Sequence, residues 1–171
     1  MPVKEWEVLM RAMAALPDEL PLRVRHAGAE NGTAASAAYA RSLRALAEEL
    51  RLDSRWEWSG EIADLASFYG RVDCLVVVSP WEASSMAALE AIAAGVPVLA
   101  HVASGTTDLV ARTTGGWTFK DEHDLVTQLR ELAHGDRLAR WRRNDEGLDF
   151  FSARRVAAEH ERFYRRLLNS S

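Results

Sequence analysis

The sequence predicts an α/β fold: a three-layer sandwich of mostly parallel sheet with helices on both faces and a helical C-terminal segment. Three observations carry this. Short apolar runs alternate with stretches of helical spacing along the 171 residues. Two runs, 74–78 (Cys-Leu-Val-Val-Val) and 96–101 (Val-Pro-Val-Leu-Ala-His), are nearly continuous, as in strands covered on both faces. A helix-length segment between them, closed by Gly95, supplies the crossover that parallel strands need.

Apolar Val8, Leu9, Ala12, Met13 and Leu16 predict a first helix that Pro17 closes. Residues 22–27 read as a strand ending at Gly28, and 29–34 as a loop. Helical spacing returns over 35–50, with Leu43, Leu46, Ala47 and Leu50 on one face. Residues 55–59 alternate like a strand, and 61–69 form a short helix striped by Ile62, Leu65, Ala66 and Tyr69. After the buried strand at 74–78, Ser84 or Ser85 caps a helix over 84–94. The second buried strand follows, then a helical turn at 108–111 and a short strand at 117–119. Residues 121–133 form a helix whose acidic first turn suits its dipole. A further helix runs from Gly135-Asp136 to about Glu146. The last spans 152–168, its inner face built from Val156, Ala157, His160, Phe163, Tyr164 and Leu167.

The length suits one domain with a real core, read as 1–171 with 136–168 as the helical C-terminal segment. A net charge of −4 argues against general nucleic-acid binding, which needs clustered Lys and Arg. Cys74 is the single cysteine, so no intrachain disulfide exists, and its apolar setting predicts an inert thiol. No 18-residue apolar span occurs, and the start has no signal-peptide core, so the expectation is a soluble cytoplasmic domain. The arginines of 137–166 read either as a solvated face interleaved with Asp and Glu or as a peripheral contact with an anionic membrane.

The most informative stretch is 79–99 (Ser-Pro-Trp-Glu-Ala-Ser-Ser-Met-Ala-Ala-Leu-Glu-Ala-Ile-Ala-Ala-Gly-Val-Pro-Val-Leu). In an open α/β sheet, ligands bind beyond the carboxyl ends of the strands, where a following helix offers unpaired N–H groups to an anion. Ala83, Ser84 and Ser85 are small enough for close approach to that backbone. Glu82 and Glu90 are about 10 Å apart along a helix rising 1.5 Å per residue. Carboxylates accept hydrogen bonds from hydroxyls, so a diphosphate between them leaves a sugar on one side and a ribose on the other. Glu90 also lies in an otherwise apolar helix, where a charge needs a partner.

Glu82-x7-Glu90 with Ala91-Ile92-Ala93-Ala94-Gly95-Val96-Pro97-Val98 resembles the E-x7-E signature and the "EAMACGVPV" stretch of retaining glycosyltransferases of the GT-B fold, chiefly the large family-4 group. Arg23 to Gly28, Trp58-Ser59-Gly60, Asp73 and Ser104-Gly105-Thr106-Thr107-Asp108-Leu109-Val110 are similar to further segments of that family. The resemblance implies a Rossmann-like donor domain, one half of a GT-B fold, that binds a nucleotide-diphosphate sugar with no cofactor or metal. It implies that Glu82 contacts the sugar and Glu90 the ribose. The backbone of Ala83, Ser84, Ser85 and Met86 meets the diphosphate, the loop near Gly28 approaches the nucleotide or the phosphates, and Lys4 neutralises the leaving group. Ala83-Ser84-Ser85 stands where the family has Gly-Phe-Gly, and Asp108 where it has Glu. The family's arginine, the first strand and the N-terminal acceptor domain have no counterpart here. Such a chain is expected to need an acceptor-binding domain or chain, and its open sheet edge invites self-association. A non-catalytic nucleotide-sugar binder and a protein-interaction domain remain alternatives from other classes.

The five histidines lack metal-ligand spacing. His26 and His101 sit near strand ends and either line the cleft or serve the core. Trp81 either packs on a sugar or base or packs against the domain.

Overall fold

The computed structural model describes residues 4–30 and 32–169. The signal-peptide reading of the first residues rests partly on residues 1–3, which lie outside them. The chain alternates α1 (Trp6–Ala14), β1 (Val24–Ala27), α2 (Ala34–Glu49), β2 (Trp56–Gly60), α3 (Leu65–Tyr69), β3 (Leu75–Val77), α4 (Met86–Ala93), β4 (Val98–His101), α5 (Thr106–Thr113), β5 (Gly116–Phe119) and α6 (Glu122–Ala133). It closes on α7 (Asp136–Arg140), α8 (Asp145–Asp149) and α9 (Ala153–Asn169).

All strand pairs among the described residues are parallel, with helical crossovers between them. The ladders fall into two groups, β1-β2 and β3-β4-β5, with no ladder joining them among the described residues. Registers align Val24 with Trp56, Leu75 with Val98, and Val98 with Gly116.

The three layers follow from strand alternation. Val76, Val78, Leu99 and Phe119 face a core completed by α1 (Leu9, Met10, Met13), α2 (Leu43, Ala47), Trp56 and α6 (Leu125, Leu129, Leu132). Val77, Val98 and Ala100 face the opposite way, against Phe68 and Tyr69 of α3, Ala88, Ala91 and Ile92 of α4, and Leu109 and Val110 of α5. A strand packed on both faces has no polar positions, which is why 74–78 and 96–101 read as apolar runs.

Caps set the helix starts. Thr33, Asp64, Ser85 and Asp121 each accept a backbone N–H three residues on. Asp64 starts α3 four residues later than the apolar stripe suggests. The turn expected at 108–111 is the full helix α5. The continuous helix expected to about 146 is instead broken between α7 and α8. Trp141 is extended, its indole N–H donates to the Thr114 carbonyl at 2.8 Å, and the Asn144 N–H donates to the Thr113 carbonyl at 2.6 Å. Those contacts hold the chain against α5, and Gly147 approaches so closely that a Cβ there would sit 1.9 Å from the Arg112 carbonyl oxygen.

The face of α9 read as inner is not buried: the helix has no buried residue, and Phe163, Tyr164, Leu167 and Leu168 are exposed. Its charges pair along the helix, Arg155 with Glu159 and Arg165 with Glu161. Among the described residues, no helix is long and apolar enough to cross a membrane.

His26 belongs to an aromatic stack rather than a cleft. Its ring lies between Trp6 and Trp58, with centroids 4.6 and 4.9 Å away, and Nδ1 is buried with no hydrogen-bond partner among the described residues. Burial first, then the Arg44 charge, holds its pKa below the ordinary 6.5. A base with a depressed folded pKa binds fewer protons folded than unfolded, so its contribution is complete above about 6.5 and is lost as pH falls below that value. The denaturant midpoint is expected to drop on moving from neutral pH to about 5.5, and less so in His26→Phe, which keeps the stack. Equal drops in both proteins would refute the assignment. Cys74 packs against the first core, and burial pushes its thiol up to about 12, the inert state expected.

Candidate functional site

The site lies beyond the carboxyl ends of β3 and β4. After Val78 and Ser79, both buried, Trp81 turns into solvent at 75% exposure, so it does not pack against the domain. Glu82 follows, half-buried, and its carboxylate is ion-paired with Lys4 just ahead of α1. Two residues 78 positions apart thus meet at one point. Ala83 and Ser84 are exposed. The Ser85 hydroxyl accepts the Ala88 N–H at 3.3 Å and so caps α4. Met86 opens the helix 64% exposed. Of the first turn of α4, Met86 and Ala87 are exposed beside the Lys4–Glu82 pair, whereas the Ala88 N–H is taken by the cap; the two uncapped amides are suited to an anion.

The rest of α4 is firmly held. Ala88, Ala91 and Ile92 are fully buried, and Arg143 donates to the carbonyls of Ile92 and Ala93 at 3.0 and 2.6 Å. A guanidinium there satisfies the final carbonyls and favours the negative helix end. Gly95, at φ +83, ends the helix, and the Val96 N–H returns to the Ala91 carbonyl.

Glu90 is half-buried on α4. It accepts a hydrogen bond from the Tyr69 hydroxyl at 3.3 Å, which also donates to the Ala87 carbonyl at 3.1 Å. Burial, then the Glu90 charge and hydrogen bond, push the Tyr69 phenol up to about 12, so it stays a donor. Periodicity places Tyr69 only in an apolar stripe. The available signal for more was its hydroxyl, which a buried tyrosine must place against an acceptor.

The loop after β4 closes one side. The His101 Nδ1 accepts the Ala103 N–H at 3.1 Å, and the Gly105 N–H donates to the Glu82 carbonyl at 2.7 Å. Gly28 ends β1 at φ +135, its N–H bonded to the Gly60 carbonyl and nothing within 4 Å of a Cβ added there. It follows a strand of the other ladder group, whereas the Glu82 loop follows β3. Lys4 and Glu82 are thus brought together and Glu90 gains Tyr69, while Gly28 follows Ala27, which packs against the same core as Tyr69 and as Ala88 and Ala91 of α4. Cavities of about 700 and 550 Å³ lie elsewhere, around Trp117 and Trp141, and neither is lined by Glu82 or Glu90. Among the described residues no group of three or more His, Cys, Asp or Glu side chains is arranged to hold a metal ion.

The parallel sheet flanked by helices is the Rossmann-like fold of the GT-B glycosyltransferases. Residues 1–146 match the family described as glycosyl transferases group 1, and the chain belongs to that family. Over 126 residues it is 34% identical to the D-inositol 3-phosphate glycosyltransferase of Mycobacterium sp. (strain KMS). The match takes in 72% of this chain but 27% of that protein, so the chain spans about a quarter of its relative's length. The sucrose-phosphate synthase of Thermosynechococcus elongatus superposes with TM-score 0.83 and 25% identity, covering 100% of this chain and 44% of that one. Anabaena HepE in complex with UDP-glucose superposes with TM-score 0.70 and 21% identity, covering 81% and 38%.

Proposed function

We propose that this chain is the donor-binding half of a retaining enzyme that moves a hexose from a nucleotide-diphosphate sugar to an acceptor hydroxyl. The observation that carries the reading is the convergence of Lys4 and Glu82 at the exposed start of α4. In the free protein the two charges neutralise each other. A bound donor replaces that contact: the diphosphate takes Lys4 and the first-turn amides, and Glu82 is released to the sugar hydroxyls. Glu90, oriented by Tyr69, accepts from the ribose diol. Catalysis then rests on positioning and on stabilising the departing diphosphate, with no metal in the scheme. The complex of HepE with UDP-glucose supports this donor class.

Turnover requires a completing N-terminal acceptor-binding domain or chain in this reading, which makes 1–171 inactive alone. The unburied apolar stripe of α9 and the short share of the relatives' length both support that. Among the described residues the edges of β1 and β3 carry no further ladder, and they offer the completing strand contact, with self-association as the competing use. We place the protein in the cytoplasm, with the arginines of 137–166 available for peripheral contact with an anionic membrane. The alternative reading is a nucleotide-sugar binder without turnover. Turnover restored by a separately supplied N-terminal half separates the two.

The test is calorimetric titration with UDP-glucose, GDP-mannose and ADP-glucose. Wild type is expected to bind at least one of them, and Lys4→Met to weaken that binding about tenfold through loss of a charge-assisted contact. Absence of binding to all of them, or full affinity in the variant, overturns the reading.

A further inference from the structure

We propose that Gly105 is a positioning residue for Glu82: its missing side chain sets where the Glu82 loop stands over the sugar subsite. This rests on the nucleotide-sugar reading above. The backbone of Gly105, at φ −61 and ψ −9, is ordinary for any residue, so conformational freedom does not explain a glycine here. Close approach does. A Cβ at this position would lie 2.0 Å from the Ala83 carbonyl oxygen, 2.8 Å from its carbon and 2.9 Å from the Glu82 carbonyl oxygen. The Gly105 N–H holds that same Glu82 carbonyl.

The two loops are not equally free to yield. On the Gly105 side, Ser104 and Thr106 are 1% and 0% exposed. The Ser104 hydroxyl accepts the Thr106 N–H at 3.2 Å, and its carbonyl accepts the Thr107 hydroxyl at 2.9 Å. Ala83 and Ser84 on the other side are exposed. A methyl group at 105 therefore drives the Glu82 segment outward by roughly 1 Å or more, the difference between that overlap and ordinary van der Waals contact. Glu90 does not move with it, because the buried face of α4, Arg143 and Tyr69 hold that helix. Gly105 thus governs recognition of the sugar separately from recognition of the ribose.

The experiment measures paired affinities of the chain for UDP-glucose and UDP, GDP-mannose and GDP, and ADP-glucose and ADP, in wild type, Gly105→Ala and Ser104→Ala. In the pair that wild type binds, Gly105→Ala is expected to weaken the sugar nucleotide about tenfold more than the diphosphate, the loss of one hydrogen bond to a charged acceptor. Ser104→Ala loosens the same turn without adding bulk and is expected to shift the ratio the same way, less strongly. A folded Gly105→Ala with an unchanged ratio, or with both affinities lowered equally, overturns the proposal. Should Gly105→Ala fail to fold by circular dichroism, Ser104→Ala decides, and an unchanged ratio there overturns it. A wild-type chain that binds none of the pairs overturns the nucleotide-sugar reading itself, and this inference with it.

Discussion

Glu90→Ala is expected to weaken nucleotide-sugar binding about a hundredfold, read by calorimetric titration, because it removes a charged acceptor from two ribose hydroxyls. The structure makes this a clean measurement. Among the described residues Tyr69 is the side chain bonded to Glu90, and its hydroxyl keeps the Ala87 carbonyl as an acceptor after the substitution. The tyrosine donor is not left unpaired, and alanine suits a helix interior. The thermal midpoint should therefore stay near wild type while affinity falls. Tyr69→Phe is the companion variant: it keeps the carboxylate but loses its orienting donor, so a smaller loss is expected. Wild-type affinity in Glu90→Ala would remove the ribose assignment and leave Glu90 as a solvated helix residue.

The second large effect concerns stability. Gly116 opens β5 at φ +148, and a Cβ there would lie 1.9 Å from the Val98 carbonyl oxygen and 2.6 Å from the Val98 nitrogen. Val98 is fully buried in the central strand of its ladder and cannot retreat. Gly116→Ala must therefore separate β4 from β5 or twist β5 off its register. Overpacking and backbone strain together cost about 3 kcal/mol or more, which lowers the midpoint of a domain this size by roughly 10 °C. Gly95→Ala is the control. It also has positive φ, but nothing lies within 4 Å of its added Cβ, so only the conformational cost of about 1 kcal/mol applies. Equal losses in the two variants, measured by circular dichroism, would show that close packing at Gly116 is not what limits the fold.

The parts of the molecule that are readable from sequence are those where one local rule decides. Strands buried on both faces must be apolar throughout, so β3 and β4 stand out, and the site at their carboxyl ends follows. Capping side chains locate α4 and α6 to within about two residues. Where tertiary contacts decide, sequence is silent or misleading. The threonines of α5 are poor helix formers, but Thr113 bonds the Leu109 carbonyl within the helix and the element packs on β4 and β5, so an expected turn is two full turns of helix. The break at Trp141 depends on two contacts with the end of α5, which no local pattern records. Periodicity along α9 identifies an apolar stripe correctly, but periodicity says only that a face is apolar and not what covers it. At the site, the glutamate spacing marks the positions, whereas Tyr69 and the Gly105 contact arise from chain segments brought together by the sheet.

The isolation of α9 has a mechanical consequence. A lone helix of this length is marginal in water and leans on its own side-chain pairs. Of these, Glu161 ahead of Arg165 has the favourable polarity, and Arg155 ahead of Glu159 the weaker one. Arg155 also stacks on Phe150 and donates to its carbonyl, which moors the first turn to the segment ahead of it. The chain therefore has two scales of cohesion. Its layered body melts as a unit, whereas the outer turns of α9 fray, regain order and swap amide protons with solvent many times between openings of the body.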